Sequence, residues 1–231
     1  MKLRIAAVSL ALLTLGLALA ASSSAAVVGI YRNSMQSNAQ RGQVLKDFGE
    51  RCGRGGSSQA FRIFVGKRTK ECGYRTPVVG RDLEIAAAGR LLSSTPQPVQ
   101  RRAFLSLNLR AGGNGARYQL AVFPLQRKAQ LRKVLPDGKV EFLHVEKGIR
   151  TRGVNQANEL RLRAFNVTAG PERGKCRILA FAGRRLVADV SDAAAGDLQG
   201  RASGFSVGAV GNAKGATGSF DDVVIRVPSP F

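Results

Sequence analysis

The chain has 231 residues, with 36 Lys and Arg against 15 Asp and Glu, and a formal net charge of +21 at pH 7. It has one His and three Cys without a C-x-x-C pair, a content that argues against a metal centre. With 27 Gly and no Trp, the composition is typical of short strands joined by tight turns, and the length suits one β-sandwich or barrel.

The N-terminus has the pattern of an export signal. Lys2 and Arg4 precede an uncharged stretch, Ile5–Ile30, whose first part is rich in Leu and Ala. Small residues at Ser24 and Ala26 suit cleavage by a signal peptidase, so we predict a signal peptide over residues 1–26. Its removal leaves 34 basic and 15 acidic residues, a net charge of +19. We therefore expect a secreted protein or one at the extracellular cell surface.

An uncleaved signal anchor is the alternative interpretation of the same segment. An uncharged helix over Ile5–Ile30 would be about 39 Å long at 1.5 Å per residue, which is enough to cross a bilayer with some tilt. The protein would then be a single-pass membrane protein with its domain outside the cell. Membrane contact is expected only through this helix.

The three cysteines, Cys52, Cys72 and Cys176, imply one disulfide and one leftover thiol in an oxidising compartment, or an intermolecular bridge. Three pairings are open from sequence alone. Cys52 and Cys72 flank a predicted strand, Ala60–Val65, in Gly-rich surroundings that can bring them together. We predict this pair, with Cys176 as a buried free thiol in its strand.

Residues 27–59 are polar, with weak helical spacing at Val44, Leu45 and Phe48, and we interpret them as a lead-in segment. From Ala60 onward, apolar and polar residues alternate with the two-residue period of half-buried strands, and we expect one domain over residues 60–231. Pro136-Asp137-Gly138 predicts a hairpin turn. About ten or eleven strands are expected. The first two are Ala60–Val65 and one around Leu83 to Ala87. The others are Ala103–Arg110, Gly115–Pro124, 126–135, Leu160–Ala164, Cys176–Phe181, Leu186–Val190, Ala202–Val210 and Thr217–Val227.

The order of these segments resembles the concanavalin A-like (laminin-G-like) jelly-roll family of bacterial exported proteins. The resemblance is carried by AFLSLNLRAGGNGARYQLAVFP (103–124), NELRLRA (158–164), LAFAGRRLVAD (179–189), GRASGFSV (200–207) and SFDDVVIRV (219–227). It implies an all-β sandwich of two antiparallel sheets. The fold hosts lectins, carbohydrate-binding modules, glycosidases and adhesion domains, so function has to come from the site.

The enzymes of this fold are the alternative that the resemblance raises. Laminarinase-like glycosidases carry E-x-D-x-x-E, whereas this chain has Asp82-Leu83-Glu84 without a third carboxylate. Asp82 and Glu84 share a strand face at a spacing that suits a glycosidase pair, but neighbours such as Arg81 and Arg90 favour simple ion pairing. The 3-keto-disaccharide hydrolase-type domains share the closing F-D-D-V style, and none of their catalytic residues maps onto a position here.

Other patterns that could carry chemistry favour structural interpretations. Ser206 lies in a G-x-S-x-G pattern, but it falls inside a predicted strand and Gly-rich sequence follows, where a nucleophile elbow needs a helix. His144 is a lone strand histidine between Glu141 and Glu146. Asp189, Asp192 and Asp197 leave structural calcium open but lack a regular ligand loop, so we expect solvated turn acids, no metal site and no cofactor.

One face of two adjacent strands suggests a binding site. Phe104, Asn108 and Arg110 share a face of one predicted strand, and Arg117 and Gln119 lie on the next. Fixed amide and guanidinium groups beside an aromatic ring suit sugar recognition, so we predict these five as ligand-binding residues. An ordinary solvated sheet face is the competing interpretation. The absence of Trp also weakens the interpretation of this protein as a lectin.

The positive charge suggests a second kind of partner. Lys128 and Arg132 share one strand face and Arg161 and Arg163 another, and we predict that these residues bind polyanions. No nucleic-acid motif accompanies them, so nucleic acid is not expected; a purely compositional charge is the competing interpretation. We therefore expect a non-catalytic binding or structural module that recognises carbohydrate or an anionic cell-envelope polymer. A glycosidase-type hydrolase and a membrane-anchored structural ectodomain are the alternatives.

Overall fold

The structure is a computed structural model that describes residues 28–57, 60–66, 69–193, 198, 200–211 and 215–228. The predicted export signal over residues 1–26 lies outside these ranges. Within them, no helix combines the length and the apolar character needed to cross a membrane.

The described residues contain fifteen strands, numbered in chain order, which form two antiparallel sheets. Sheet A consists of β1 (Val28–Asn33), β3 (Cys52–Ser57), β4 (Ala60–Val65), β6 (Leu83–Leu91), β11 (Asn158–Asn166), β12 (Cys176–Ala182), β13 (Arg185–Asp192) and β15 (Thr217–Val227). Sheet B consists of β2 (Leu45–Phe48), β5 (Glu71–Val79), β7 (Ala103–Ala111), β8 (Arg117–Phe123), β9 (Lys128–Val134), β10 (Val140–Lys147) and β14 (Ala202–Ala209).

The strand order gives a sandwich built from neighbours that are distant in sequence. Sheet A runs β13-β12-β11-β6-β15-β4-β3, with β1 also paired to β15, and sheet B runs β10-β9-β8-β7-β14-β5-β2. The helices are one turn or little more: α1 (Asn38–Gly42), α2 (Gln97–Gln100) and a 3₁₀ turn at Pro124–Gln126. The all-β prediction is confirmed, with more strands than the ten or eleven expected.

Alternation along the strands places one set of side chains between the sheets. Leu83 and Ile85 of sheet A and Leu105 and Leu107 of sheet B are at most 2% exposed. Because each strand presents alternate residues to opposite faces, the remaining positions of sheet B point away from this core. The candidate site lies on that outer face of sheet B.

An aromatic cluster joins the two sheets in the middle of the core. The ring centroids lie 4.9 Å apart for Phe61 and Tyr74, 5.7 Å for Phe61 and Phe205, and 4.7 Å for Phe205 and Phe220. These rings come from β4, β5, β14 and β15, and burying each large side chain contributes on the order of 2 kcal/mol. The cluster thus holds β14 and β5, two neighbouring strands of sheet B, against sheet A.

Residues 28–57, which the sequence suggested as a lead-in segment, are part of the sandwich. β1 pairs with β15, β2 with β5 and β3 with β4. Met35 and Val44 between these strands are fully buried. The alternation is weak here because β2 and β3 lie at sheet edges and are held largely by backbone hydrogen bonds. In the described ranges, strands that precede Ala60 thus pair into both sheets, beginning with β1 at Val28.

The disulfide prediction is confirmed. Cys52 of β3 and Cys72 of β5 are bonded, with Cα atoms 5.6 Å apart, and Cys176 is a free, buried cysteine in β12. Burial is the main cause that raises the pKa of the Cys176 thiol to about 11.

A polar cluster closes one end of the core near Cys176. Asp192 accepts a hydrogen bond from the Tyr118 hydroxyl at 2.7 Å and forms an ion pair with Lys133 at 3.1 Å. Lys133 points towards the core and is only 2% exposed. The Asp192 carboxylate therefore compensates the charge of a buried ammonium group.

Candidate functional site

The outer face of sheet B carries a set of polar side chains in register across its central strands. Ser206 of β14 lies opposite Ser106 of β7, Asn108 lies opposite Gln119 of β8, and Gln119 lies opposite Arg132 of β9. The short side chains of Ser206 and Ser106 leave room above the sheet for the longer ones around them. All five side chains are 5% exposed or less.

Glu71, at the start of β5, is the centre of this polar set. One carboxylate oxygen accepts hydrogen bonds from Gln119 Nε2 at 2.6 Å and from Ser206 Oγ at 2.5 Å. The other forms an ion pair with Arg117 at 2.9 Å. Ser206 also bonds Ser106, and Gln119 donates to Asn108 at 3.1 Å. The network fixes these side chains before any ligand arrives.

Aromatic rings flank the network and explain how charged groups are buried there. Phe48 lies over Gly73, where an added Cβ would come within 2.1 Å of the ring, and the Arg117 guanidinium packs 3.9 Å from the Phe48 centroid. The Arg132 guanidinium lies 4.8 Å from the Phe104 centroid and 5.3 Å from that of Phe123. Such contacts between guanidinium groups and rings are favourable.

A second carboxylate lies close to this site. Burial raises the pKa of Asp47, and the positive charges of Arg75 and Arg117 oppose that rise. Asp47 belongs to β2, the edge strand that also carries Phe48. Arg117 therefore acts electrostatically on both Asp47 and Glu71.

Glu71, Gln119 and Arg132 of this polar set, together with Arg117 and Phe104, form the floor of an open groove of about 370 Å³. The groove walls come from the turn after β7, the hairpin between β9 and β10, and the loop after β14. Its lining consists of Lys70, Glu71, Phe104, Asn114, Gly115, Arg117, Gln119, Arg132, Val134, Leu135, Pro136, Gly138, Val140, Ala209, Val210 and Gly211.

Four of the five predicted ligand-binding residues belong to this site. Phe104, Arg117 and Gln119 line the groove, and Asn108 supports Gln119 from the neighbouring strand. Arg110 does not join them. Its backbone takes a left-handed conformation, with φ of 52°, and its guanidinium turns to Asp82 and Asn166 at the edge of the sandwich. The strict alternation that placed Arg110 on this face is interrupted by that local bend.

The predicted polyanion-binding residues lie on two different surfaces. Lys128 and Arg132 lie on the outer face of sheet B, whereas Arg161 and Arg163 lie on the outer face of sheet A, over Phe181 and Phe165. Arg132 departs from the expected solvent-exposed position, because it is 5% exposed and lies in the groove floor. Removing its side chain would therefore disturb packing as well as charge.

Asp82 and Glu84 lie outside the groove. Asp82 forms an ion pair with Arg110 at 3.3 Å, and Glu84, on the outer face of sheet A, forms one with Arg226 at 3.0 Å. The ion-pairing interpretation thus has structural partners in Arg110 and Arg226, whereas Arg90 pairs with Asp221.

The other candidates occupy structural positions. Ser206 sits in the middle of β14, fully buried and bonded to Glu71, and the strand continues to Ala209 where a nucleophile elbow would need a helix. His144 lies on β10, 3.7 Å from Glu146. Asp189 pairs with Arg177, Asp192 belongs to the core polar cluster, and Asp197 lies outside the described residues. No three metal-ligating side chains converge within the described part of the chain.

Sequence reasoning missed Glu71 and Phe48. Phe48 lies in the predicted lead-in segment, and Glu71 lies between two predicted strands, Ala60–Val65 and the one around Leu83, so neither was assigned to a strand. A signal for Glu71 is present, because Cys72, Tyr74 and Thr76 are all buried and alternate with Glu71 and its neighbours on the opposite face. No comparable pattern surrounds Phe48.

No family model matches the sequence, and no curated protein resembles it significantly. Solved structures do share its fold. The carbohydrate-binding module CBM66 of Bacillus subtilis is 14% identical, with a TM-score of 0.59 over 80% of this chain and 95% of the module. A Bacillus subtilis protein of unknown function with a galectin-like fold is 11% identical, with a TM-score of 0.61 over 88% and 98%.

A kappa-carrageenase from Pseudoalteromonas carrageenovora, solved with an oligotetrasaccharide of kappa-carrageenan, is 7% identical. Its TM-score is 0.55 over 91% of this chain and 98% of the enzyme. At such identities the likeness establishes the fold, a concanavalin A-like jelly-roll sandwich, and confirms the resemblance read from the sequence.

Proposed function

We propose that this chain is a non-catalytic carbohydrate-binding domain and that the groove on sheet B is its binding site. The observation that carries the proposal is the groove floor, where Arg117 and Gln119 both bond to Glu71 beside the Phe104 ring, and where Asn108 supports Gln119 from the neighbouring strand. Amide and guanidinium groups offer directional donors and acceptors to sugar hydroxyls, and an aromatic ring packs against a pyranose face.

The size and order of the groove support this function. Its volume of about 370 Å³ is in the range of small-ligand sites and suits a short oligosaccharide. The floor is already ordered by the contacts to Glu71, so binding costs little side-chain entropy.

The structural neighbours support a sugar ligand, since one of them is a carbohydrate-binding module and another was solved with a bound oligosaccharide. The disulfide suits an oxidising compartment, which agrees with the predicted export.

Binding is favoured over hydrolysis by the carboxylates that the groove presents. Among its described lining residues, Glu71 is the one acidic side chain. A retaining glycosidase needs a second carboxyl group about 5–5.5 Å away, and an inverting one needs it about 6.5–9.5 Å away. The hydrogen-bond and ion-pair partners of Glu71 are instead an arginine, an amide and two hydroxyl groups. Asp47, the other carboxylate near the site, is not part of the groove lining.

The test of the binding site is to block the groove from its wall. Val140 of β10 lines the groove and is 38% exposed, so Val140→Trp adds bulk there with little effect on the core. Val227 of β15 is 39% exposed on the other sheet, which makes Val227→Trp the matched control. A glycan array with residues 27–231 identifies a ligand, and calorimetry then compares the two variants.

We expect Val140→Trp to lose binding by about tenfold or more, the equivalent of about 1.4 kcal/mol, while Val227→Trp binds like the unmodified protein. Equal binding by both variants, or no glycan bound at all, would refute the proposed site. The same glycans are incubated with the protein and assayed for new reducing ends. Hydrolysis that disappears in Glu71→Gln, with the fold retained, would show that the protein is an enzyme.

A further inference from the structure

The positive and negative charges of the side chains that line the groove do not balance. The charged side chains are Lys70, Glu71, Arg117 and Arg132 among the described lining residues. Glu71 is compensated by Arg117, which lies 2.9 Å away and is itself 6% exposed. The remaining charges, on Lys70 and Arg132, are both positive. The groove therefore presents an excess of positive charge to whatever it binds.

Arg132 is an unusual member of this set because it is buried without a carboxylate. It is 5% exposed, and its guanidinium donates to the side-chain oxygens of Gln130 and Gln119, both neutral amides. Within the described residues, no acidic oxygen lies within 4.0 Å of it, although most buried arginines are paired. Burial lowers the pKa of Arg132 to about 10, and the more distant Glu71 only partly offsets this effect.

The hydrogen bonds of Arg132 also leave donors for a ligand. A guanidinium has five N–H groups. Nε and one N–H of Nη2 donate to Gln130, and one N–H of Nη1 donates to Gln119. One N–H on each terminal nitrogen is then left to donate to a ligand, and hydrogen bonds from a guanidinium to a carboxylate or sulfate are strong because both partners are charged. The rings of Phe104 and Phe123 hold the guanidinium plane in place.

We infer that the groove selects sugars that carry a carboxylate or sulfate group, with this anion bound to Arg132. The inference rests on the proposed carbohydrate-binding function and adds the class of sugar. The anion supplies the negative counter-charge that Arg132 lacks in the free protein, and Lys70, exposed at the groove margin, adds a longer-range attraction.

The experiment compares matched oligosaccharides that differ only in charge. Trigalacturonate and its methyl ester test the carboxylate. A galactose tetrasaccharide with one sulfate per disaccharide, and its desulfated form, test the sulfate. Calorimetric titrations are run at about 0.15 M salt, where exposed charges are screened beyond about 8 Å. Arg132→Gln, Arg132→Lys and Lys70→Gln are compared with Arg62→Gln, which removes an exposed charge on the outer face of sheet A.

We expect at least one charged probe to bind about 30-fold or more tightly than its neutral partner, as for a desolvated charge pair. Arg132→Gln should abolish this preference, Arg132→Lys should retain part of it, and Arg62→Gln should retain all of it. Lys70→Gln, an exposed change that leaves the groove floor intact, should reduce the preference severalfold. It serves as the second variant if Arg132→Gln does not fold.

The remaining outcomes separate this inference from the proposed function. Neutral and charged partners that bind equally well would overturn the inference and leave carbohydrate binding in place. Equal losses in Arg132→Gln and Arg62→Gln would also overturn it, because the preference would then come from net charge alone. Failure of every glycan, in the array and in these titrations, would overturn both.

Discussion

The Cys52–Cys72 disulfide is expected to contribute a measurable part of the stability of the sandwich. It connects β3, an edge strand of sheet A, to β5 of sheet B, and it closes a loop with a sequence separation of 20. Breaking it leaves the β3–β4 hairpin attached to the second sheet only by packing. The perturbation is the double variant Cys52→Ala/Cys72→Ala, or reduction of the unmodified protein.

The magnitude follows from the length of the closed loop. For about 20 residues, the chain-entropy model gives about 3 kcal/mol of stabilisation through the unfolded state. In a domain of this size, 1 kcal/mol corresponds to about 2–4 °C in Tm, so we expect the double variant to unfold about 6–12 °C lower.

The assay is thermal unfolding followed by circular dichroism, with and without reductant. The unmodified protein under reductant should approach the double variant, and Cys176→Ala, which keeps the disulfide, should respond to reductant as the unmodified protein does. A Tm that changes by less than about 2 °C on reduction would contradict the loop-entropy estimate. Non-reducing peptide mapping that places Cys176 in the bond would contradict the pairing itself.

Three further outcomes are expected. Asp192→Ala should destabilise the fold by about 3–5 kcal/mol in denaturant unfolding, because it leaves the buried Lys133 ammonium without its partner at 3.1 Å. Gly204→Ala should cost about 1–3 kcal/mol, because its Cβ would lie 2.2 Å from a β5 carbonyl oxygen, whereas Gly113→Ala, with nothing within 4 Å, should be nearly neutral. The Cys176 thiol, whose pKa burial raises to about 11, should react with a thiol reagent at pH 8 only after unfolding, and rapid reaction in the native state would contradict its burial.

Most of the sandwich was predictable because its central strands bury one face each. The predicted strand over Thr217–Val227 coincides with β15, and Ala202–Val210 differs from β14 by one residue. The first three strands were not predictable in the same way. The sequence of β3, Cys-Gly-Arg-Gly-Gly-Ser, has no alternation of apolar and polar residues. This strand is held at the sheet edge by backbone pairing with β4, which requires no apolar side chains.

The candidate site was predictable only in part. Phe104, Asn108, Arg117 and Gln119 came from the alternation of two neighbouring strands, where spacing alone fixes the face. The same alternation predicted that Arg110 lies on this face. That prediction is wrong, because the left-handed backbone of Arg110 bends the strand at that point.

The sequence alone determined which faces of the long strands are apolar, since this depends on local period. The fold class came from the resemblance to a known family. The sequence favoured Cys52 with Cys72 among three open pairings, and the structure shows that bond. The tertiary structure decided what meets across the outer face of sheet B. β5 and β14 are far apart in the chain, yet their pairing brings Glu71 within 2.5 Å of Ser206. It also decided that Arg132 is buried rather than exposed, because the rings that cover it come from three different strands. Long-range strand pairing of this kind has no local signature, and the groove that it creates appears only in the folded chain.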